Sequence, residues 1–302
     1  MDGYNDKIIK PLLAVPLDWS RLKYPVFVSP KLDGIRCLAQ DGRPWSRTHK
    51  VLPNRHLQQQ FQDLSVLLEG LDGEIIVGSS HVPNVYNVTT SAVMSENGIP
   101  NFEYWVFDDI TEPNLPYEER LDKLRGRAQS LPKWAHVLPQ FECATRESVE
   151  SVEQEAIKLG YEGVIVRSLS GPYKQGRSTV NQGYLLKLKR FEDAEARVVG
   201  YEELQHNDNV ATTDVQGHTH RTSHRANMRP GNKLGALTVT DMETPGLYFS
   251  IGSGFDDQER MKLWAERDTL IGRIVTYKCQ PHGRLVAPRF PIFIRFRHEI
   301  DM

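Results

Sequence analysis

Lys31-Leu32-Asp33-Gly34-Ile35-Arg36 is the stretch on which the reading of this chain turns. Before it, Tyr24-Pro25-Val26-Phe27-Val28 alternates and is β-branched and aromatic. After it, Ile35 to Ala39 resumes an extended pattern, so the hexad joins two predicted strands. Asp33-Gly34 is a turn signal and predicts Lys31 at the lip of a tight loop. A lysine held there, beside an acid and an arginine, can serve as a nucleophile once its ammonium has lost a proton, and nearby cations favour that loss. A surface lysine before an Asp-Gly turn is equally compatible with no chemistry at all, so the surrounding chain has to decide.

Outward from the hexad, strand and helix patterns alternate up to about residue 190. Predicted strands cover 26–29, 36–39, 73–77, 102–107, 137–141, 163–167 and 184–189. A helix is predicted over 54–68, opened by Pro53-Asn54, with Leu57, Phe61, Leu64, Leu67 and Leu68 as its apolar stripe. Further amphipathic helices are expected over 117–131 and 148–159, the second stopped by Gly160. From Ala196 the texture changes to short strands at 197–201, 236–240, 247–251, 273–279 and 292–296, with one helix at 257–270. That pattern predicts a small barrel of the OB type. The expected fold is therefore α+β, with antiparallel sheets and helices over 1–190 and a small β-barrel domain over 191–302.

The bulk numbers exclude several classes. With 302 residues, 39% hydrophobic and 25% charged, the chain has the composition of an ordinary soluble protein of one large or two medium domains. No apolar run approaches the roughly 20 residues of a membrane span, and the N-terminus does not read as a signal peptide. Cys37, Cys143 and Cys279 stand far apart with no CxxC pair, which argues against a disulfide framework or a zinc finger and fits a reducing, cytoplasmic setting. A net charge of -2 argues against binding nucleic acid by bulk charge, but not against a local basic surface.

Downstream segments keep an order of their own: Ser46-Arg47-Thr48, Leu71-Asp72-Gly73-Glu74-Ile75-Ile76, Tyr104-Trp105-Val106-Phe107-Asp108, Glu162-Gly163-Val164-Ile165-Val166-Arg167, Leu185-Leu186-Lys187-Leu188-Lys189 and Pro288-Arg289-Phe290-Pro291-Ile292-Phe293-Ile294-Arg295. With the hexad, this series resembles the motifs of ATP-dependent DNA ligases. It is most similar to the compact viral and phage type, including the Chlorella-virus type, which it shares also through Thr90-Ser91-Ala92-Val93-Met94 and Gly176-Arg177-Ser178-Thr179. The resemblance implies that Lys31 carries AMP from ATP through a phosphoramide bond. Ser29 and Pro30 would form part of the adenine pocket, Glu74 would accept from the ribose hydroxyl, and Phe107 would stack on the base. Glu162 would be a carboxylate near a divalent metal, Mg²⁺ or Mn²⁺. Arg36 and Arg47 would hold the 5′-phosphate at a DNA nick through forked donors. Asp33 and Arg177 belong to the same site by motif match, and Arg289 and Arg295 would reach nucleotide or DNA from the second domain.

Lys187 and Lys189 can also be read without the resemblance. Residues two apart on a strand share a face, so both ammoniums point together while Leu186 and Leu188 point into the core. Two like charges on one face cost energy unless an anion lies between them, and a triphosphate is such an anion. The alternative is a solvated sheet face.

A polar insertion at about 204–234 interrupts the second domain and carries His206, His218, His220, Arg221, His224, Arg225, Arg229 and Lys233. An insertion of that length in a small domain is usually functional or disordered. The resemblance implies a hairpin latch that closes on duplex DNA, with Arg221 and Arg225 tracking phosphates and the segment disordered without DNA. The spacing His218-x-His220-x-x-x-His224 lacks the partners of a known zinc finger. The whole implies a monomeric ligase that clamps nicked duplex DNA. An RNA ligase, an mRNA-capping guanylyltransferase and a catalytically idle nick-binding clamp are the alternatives. An NAD-dependent ligase is disfavoured, because too little chain precedes Lys31 for a nicotinamide-binding domain.

Overall fold

In a computed structural model, the protein is described over residues 8–80, 84–213, 219–222, 227–244, 246–280 and 287–297. Two units follow one another along the chain and part between Lys189 and Arg190.

The first unit begins with two short strands, β1 (Leu12–Leu13) and β2 (Val15–Pro16). The hexad is flanked by β3 (Val26–Pro30) and β4 (Ile35–Gln40), and β5 (Arg43–Ser46) follows. Helices α1 (Arg55–Asp63) and α2 (Ser65–Leu68) lead to β6 (Leu71–Val77), α3 (Val85–Met94) and β7 (Phe102–Asp109). After α4 (Tyr117–Arg127) come β8 (Ala135–Val137), β9 (Phe141–Cys143), α5 (Arg146–Lys158), β10 (Gly163–Ser168), β11 (Gly176–Arg177) and β12 (Leu185–Lys189).

These strands build two five-stranded sheets, ordered β2-β12-β10-β3-β9 and β5-β4-β6-β7-β8. Strands β3 and β4 therefore belong to different sheets, and the hexad crosses between them. The short loop expected at Asp33-Gly34 is present, with Lys31 at its start, but it crosses between sheets and closes no hairpin. Each flanking strand finds its antiparallel partners elsewhere, β3 with β10 and β9, and β4 with β5 and β6. Gly34 is needed for close approach: a Cβ there would lie 2.3 Å from the Ile75 carbonyl oxygen.

Helices cover the outer faces. Leu57 and Phe61 of α1 and Leu121 and Leu124 of α4 are buried against Cys37, Ile75 and Tyr104 of the second sheet. Val149 and Ala156 of α5 are buried on Val26, Val28, Val164 and Val166 of the first. Each such Val, Leu or Phe side chain contributes about 1.5–3 kcal/mol by leaving water. Between the sheets, Leu38 meets Leu185, and Leu32 meets Ile76 and Phe107, so the inner faces share an apolar floor.

The helix expected over 54–68 starts where Asn54 caps it, the side chain accepting from the Leu57 amide at 2.9 Å, but it breaks at Leu64 into α1 and α2. The strand expected over 137–141 is two strands, β8 and β9, one in each sheet. Pro139 between them has no N–H for a ladder and marks the change of sheet. Helix α3 and the short strands β1, β2, β5 and β11 have no counterpart in the sequence reading.

The second unit contains β13 (Glu192–Asn207), β14 (Ala211–Thr213), β15 (Thr219–Arg221), β16 (Met228–Asp241), β17 (Tyr248–Ile251), α6 (Asp257–Ala265), β18 (Ile274–Gln280) and β19 (Arg289–Phe296). Five of these strands form one sheet, ordered β17-β16-β13-β18-β19. Its edges are tied by a bridge from Ser253 to Ile292, with the Phe293 amide donating to the Ser253 carbonyl at 2.8 Å. The sheet thus curls in the OB manner, with a single bridge in place of a continuous closing ladder. Val198, Leu237, Val239, Ile251, Leu263, Val275 and Tyr277 form its core.

The described part of the polar insertion is ordered as strand pairs. β13 and β16 continue their pairing through His206–Arg229 and Asn207–Met228, and β14 pairs with β15. Arg225, His218 and His224 lie outside the described residues. Among the described residues no helix is long and apolar enough to cross a membrane.

Candidate functional site

The register of the first sheet sets three side chains in one row. Ser29 of β3 pairs with Ile165 of β10, and Ile165 pairs with Lys187 of β12. All three line one cavity of about 290 Å³. The next row places Lys189 opposite Gly163, and the Lys31 amide donates to the Gly163 carbonyl at 2.9 Å. Gly163 has φ +151°, and a Cβ there would lie 2.2 Å from the Leu188 carbonyl oxygen, so only glycine lets the two strands approach this closely. Glu162, one residue earlier, is thereby set between Lys31 and Lys189.

Glu162 accepts ion-paired contacts from both ammoniums, Lys31 on Oε2 and Lys189 on Oε1. Its side chain is 2% exposed, against 19% for Lys31. Burial alone would raise its pKa, but the two ammoniums outweigh burial and hold the carboxyl at about 2. Lys31 Nζ also lies 3.4 Å from the Leu32 carbonyl. The amino group of Lys189 is pulled below the usual lysine range by burial and by Lys31, against the opposing pull of Glu162. That of Lys187 is lowered by burial, Lys31 and Arg177.

The second sheet supplies the facing wall. Arg36 of β4 grips Asp72 of β6 with two bonds of 2.6 Å, and its guanidinium lies 4.5 Å from the centre of the Phe107 ring. Burial disfavours the Arg36 charge, but Asp72 more than offsets it, so the guanidinium stays firmly protonated. Glu74 accepts from the Gly34 amide at 3.2 Å. Burial pushes its carboxyl up to about 7 against the pull of Arg36 and Lys31.

Ser29, Pro30, Lys31, Arg36 and Glu74 therefore line one cavity with Arg47, Phe107, Arg177 and Lys187. Asp33 sits half-buried beside it, its charge adding to the upward shift of Glu74. Arg47 and Arg177 are exposed at the cavity wall, and the Arg177 guanidinium donates to the Ala14 carbonyl at 3.4 Å. The paired faces expected of β12 are present: Leu186 is buried in the core of the first sheet, and Lys187 and Lys189 point to the site.

The second unit holds the other three described residues. Arg221 donates to the Asn209 carbonyl. Arg289 lies 5.1 Å from the Phe290 ring centre, and Arg295 is exposed on β19 opposite Thr276.

Sequence reasoning missed a buried polar frame behind the wall. Asp108 accepts from Arg120 at 2.8 Å and from Arg167, and the Arg167 guanidinium lies 5.2 Å from the Phe107 ring centre. The Tyr173 hydroxyl donates to Asp72 at 2.5 Å. Asp72, Asp108 and Arg167 stand in strands whose neighbouring side chains are largely buried. That placement was the available signal, because a buried charge must be paired. Tyr86 of α3 and Leu138 also line the cavity without any motif to announce them.

Glu162, the carboxylate expected near a divalent ion, is buried and paired with Lys31 and Lys189, and among the described residues no cluster of three or more His, Cys, Asp or Glu could hold an ion by itself. One buried carboxylate fits an ion such as Mg²⁺ that takes most of its ligands from phosphate oxygens and water.

Residues 11–189 match the family model for the ATP dependent DNA ligase domain, and residues 227–297 match that for the DNA ligase OB-like domain. Among curated proteins, the DNA ligase of African swine fever virus is 26% identical over 214 residues, 65% of this chain, and the match spans about half the length of that relative. Among solved structures, Chlorella virus DNA ligase-adenylate is 30% identical, with 96% of this chain and 100% of that chain covered at a TM-score of 0.55. A Lig E DNA ligase, 23% identical, shares the fold at a TM-score of 0.68 over 96% of this chain and 100% of its own. The first model alone takes in more than half of the sequence and contains the whole cavity with its hexad, and on that match the chain belongs to the ATP-dependent DNA ligase family.

Proposed function

We propose that this chain seals 3′-hydroxyl/5′-phosphate nicks in duplex DNA through a lysyl-AMP intermediate. The observation that carries the reading is Lys31 at the cavity wall, bound to Glu162 and facing a cluster of cations. In the first step the Lys31 amine attacks the α-phosphate of ATP. A nitrogen–phosphorus bond forms, the bond to the β-phosphate bridge breaks, and pyrophosphate leaves.

Glu162, held at about 2, is too weak a base to take the Lys31 proton efficiently. Its work is to orient the amine, and the proton passes to solvent. Lys187 and Lys189 neutralise charge that grows on the phosphate in the transition state. A divalent ion held by Glu162 would add charge neutralisation at the triphosphate.

Phe107 offers its ring to the adenine, with Ser29 and Pro30 beside it, and Glu74 accepts from the ribose hydroxyl. AMP then passes to the nick 5′-phosphate, gripped by Arg47 and Arg177. Arg36 contributes through whatever its fork has left beyond Asp72, to which two of its donors are committed. Finally the 3′-hydroxyl displaces AMP and closes the strand. The proposed partner is nicked duplex DNA, bound by one chain, with Arg221, Arg289 and Arg295 adding phosphate contacts that weaken as salt rises.

A sealing assay on nicked duplexes with DNA or RNA strands tests this reading. ATP-dependent closure of a DNA nick is expected. Sealing confined to RNA, or no sealing at all, would refute it.

A further inference from the structure

Tyr173 carries none of the roles given above, yet it joins the nucleotide wall to the segment that bears Arg177. Its side chain is 4% exposed and sits with Leu12, Leu38 and Leu185. The hydroxyl donates at 2.5 Å to Asp72 Oδ2, the same oxygen that accepts from Arg36 Nη2 at 2.6 Å. Arg36 in turn lies on the Phe107 ring. Three to five residues after Tyr173, the chain is stitched to the segment around β1. The Gly176 amide donates to the Pro11 carbonyl at 3.1 Å, and the Ser178 amide donates to the Leu13 carbonyl at 2.8 Å, with Arg177 between them. Arg177 thus lies between backbone bonds to the N-terminal segment, while Tyr173, four residues earlier, is anchored by its amide to the Pro113 carbonyl at 2.7 Å and by its hydroxyl to the Arg36–Asp72 pair. Burial and the Asp72 charge keep the phenol protonated, so it remains a donor.

Resting on the nick-sealing reading, we propose that Tyr173 is a positioning residue that holds Arg177 in register with Arg36 and Phe107. It would thereby couple the nucleotide pocket to the grip on the 5′-phosphate. Tyr173 does not line the cavity. It acts by tying a surface segment to a buried carboxylate, and such a bond is worth about a tenfold change in an equilibrium or rate when it is lost.

The test uses the full chain, already adenylated, mixed in single turnover with a 5′-phosphorylated DNA nick. Tyr173→Phe keeps the ring and its burial and removes only the donor. The expected result is an AMP-transfer rate constant about tenfold lower at an unchanged reactive fraction. Adding Tyr173→Phe to Arg177→Ala is expected to slow transfer no further. Three results would overturn the proposal: transfer at the wild-type rate, a loss confined to the reactive fraction, or effects of the two substitutions that multiply. Failure of the wild-type chain to transfer AMP to the nick would instead refute the nick-sealing reading, and this proposal with it.

Discussion

Replacing Glu162 by glutamine removes the one negative charge that Lys31 and Lys189 share. In the native fold the carboxyl is held at about 2 rather than its ordinary 4.5, because the two ammoniums overcome the cost of burial. A difference of that size corresponds to about 3 kcal/mol of stability, at roughly 1.4 kcal/mol per pH unit. The side chain is almost fully buried, so little of this is lost to solvent screening. The sign follows from the depressed pKa. The contribution is complete above about pH 4.5 and disappears as pH falls towards 2.

Urea unfolding followed by tryptophan fluorescence is a suitable assay, since Trp19, Trp45, Trp105 and Trp134 all lie in the first unit. Glu162→Gln is expected to be less stable than wild type by about 3 kcal/mol at pH 7, with the gap about 1 kcal/mol smaller at pH 4 and smaller again at pH 3.5. A gap below about 1 kcal/mol at pH 7, or one that stays constant down to pH 3.5, would show that Glu162 is not the counter-ion the geometry describes.

Glu74 has the opposite sign. Its carboxyl is pushed up to about 7, so ionisation opposes folding, and Glu74→Gln should gain stability relative to wild type as pH rises from about 5 to 8. Over the same range, discrimination of ATP from its ribose-deoxygenated analogues should sharpen in wild type and stay flat in Glu74→Gln, as read from KM in self-adenylation. Gly34→Ala places a methyl 2.3 Å from the Ile75 carbonyl oxygen and should destabilise the first unit by about 1–3 kcal/mol in thermal melts; a neutral substitution would contradict the described crossing. Lys187→Ala should slow lysine adenylation by about 100-fold at saturating ATP, whereas Lys187→Arg should recover part of the loss; equal rates would remove Lys187 from the reaction.

The parts of this protein legible in its sequence are those set by strand parity and by residues with unusual chemistry. Lys187 and Lys189 two apart on a strand, with Leu188 between them, were bound to share a face, and they do. What the sequence did not convey is which strands pair. The Asp33-Gly34 dipeptide reads locally as a hairpin turn, yet β3 pairs with β9 and β10 more than 100 residues on, while β4 pairs with the adjacent β5 and with β6, so the same dipeptide becomes a crossing between sheets. Pairing over such separations depends on burial of both inner faces together, which no local window contains. The Arg36–Asp72–Tyr173 chain escaped for a related reason. Tyr173 is 101 residues from Asp72 in sequence, and only the meeting of two sheets brings its hydroxyl to that carboxylate.

Lys31 as the AMP carrier is tested most directly by incubating the chain with α-labelled ATP or GTP and mapping the labelled peptide, in wild type and in Lys31→Ala. AMP labelling on the Lys31 peptide, abolished in Lys31→Ala and absent with GTP, is the predicted result. Label from GTP, or AMP label that persists without Lys31, would contradict the account.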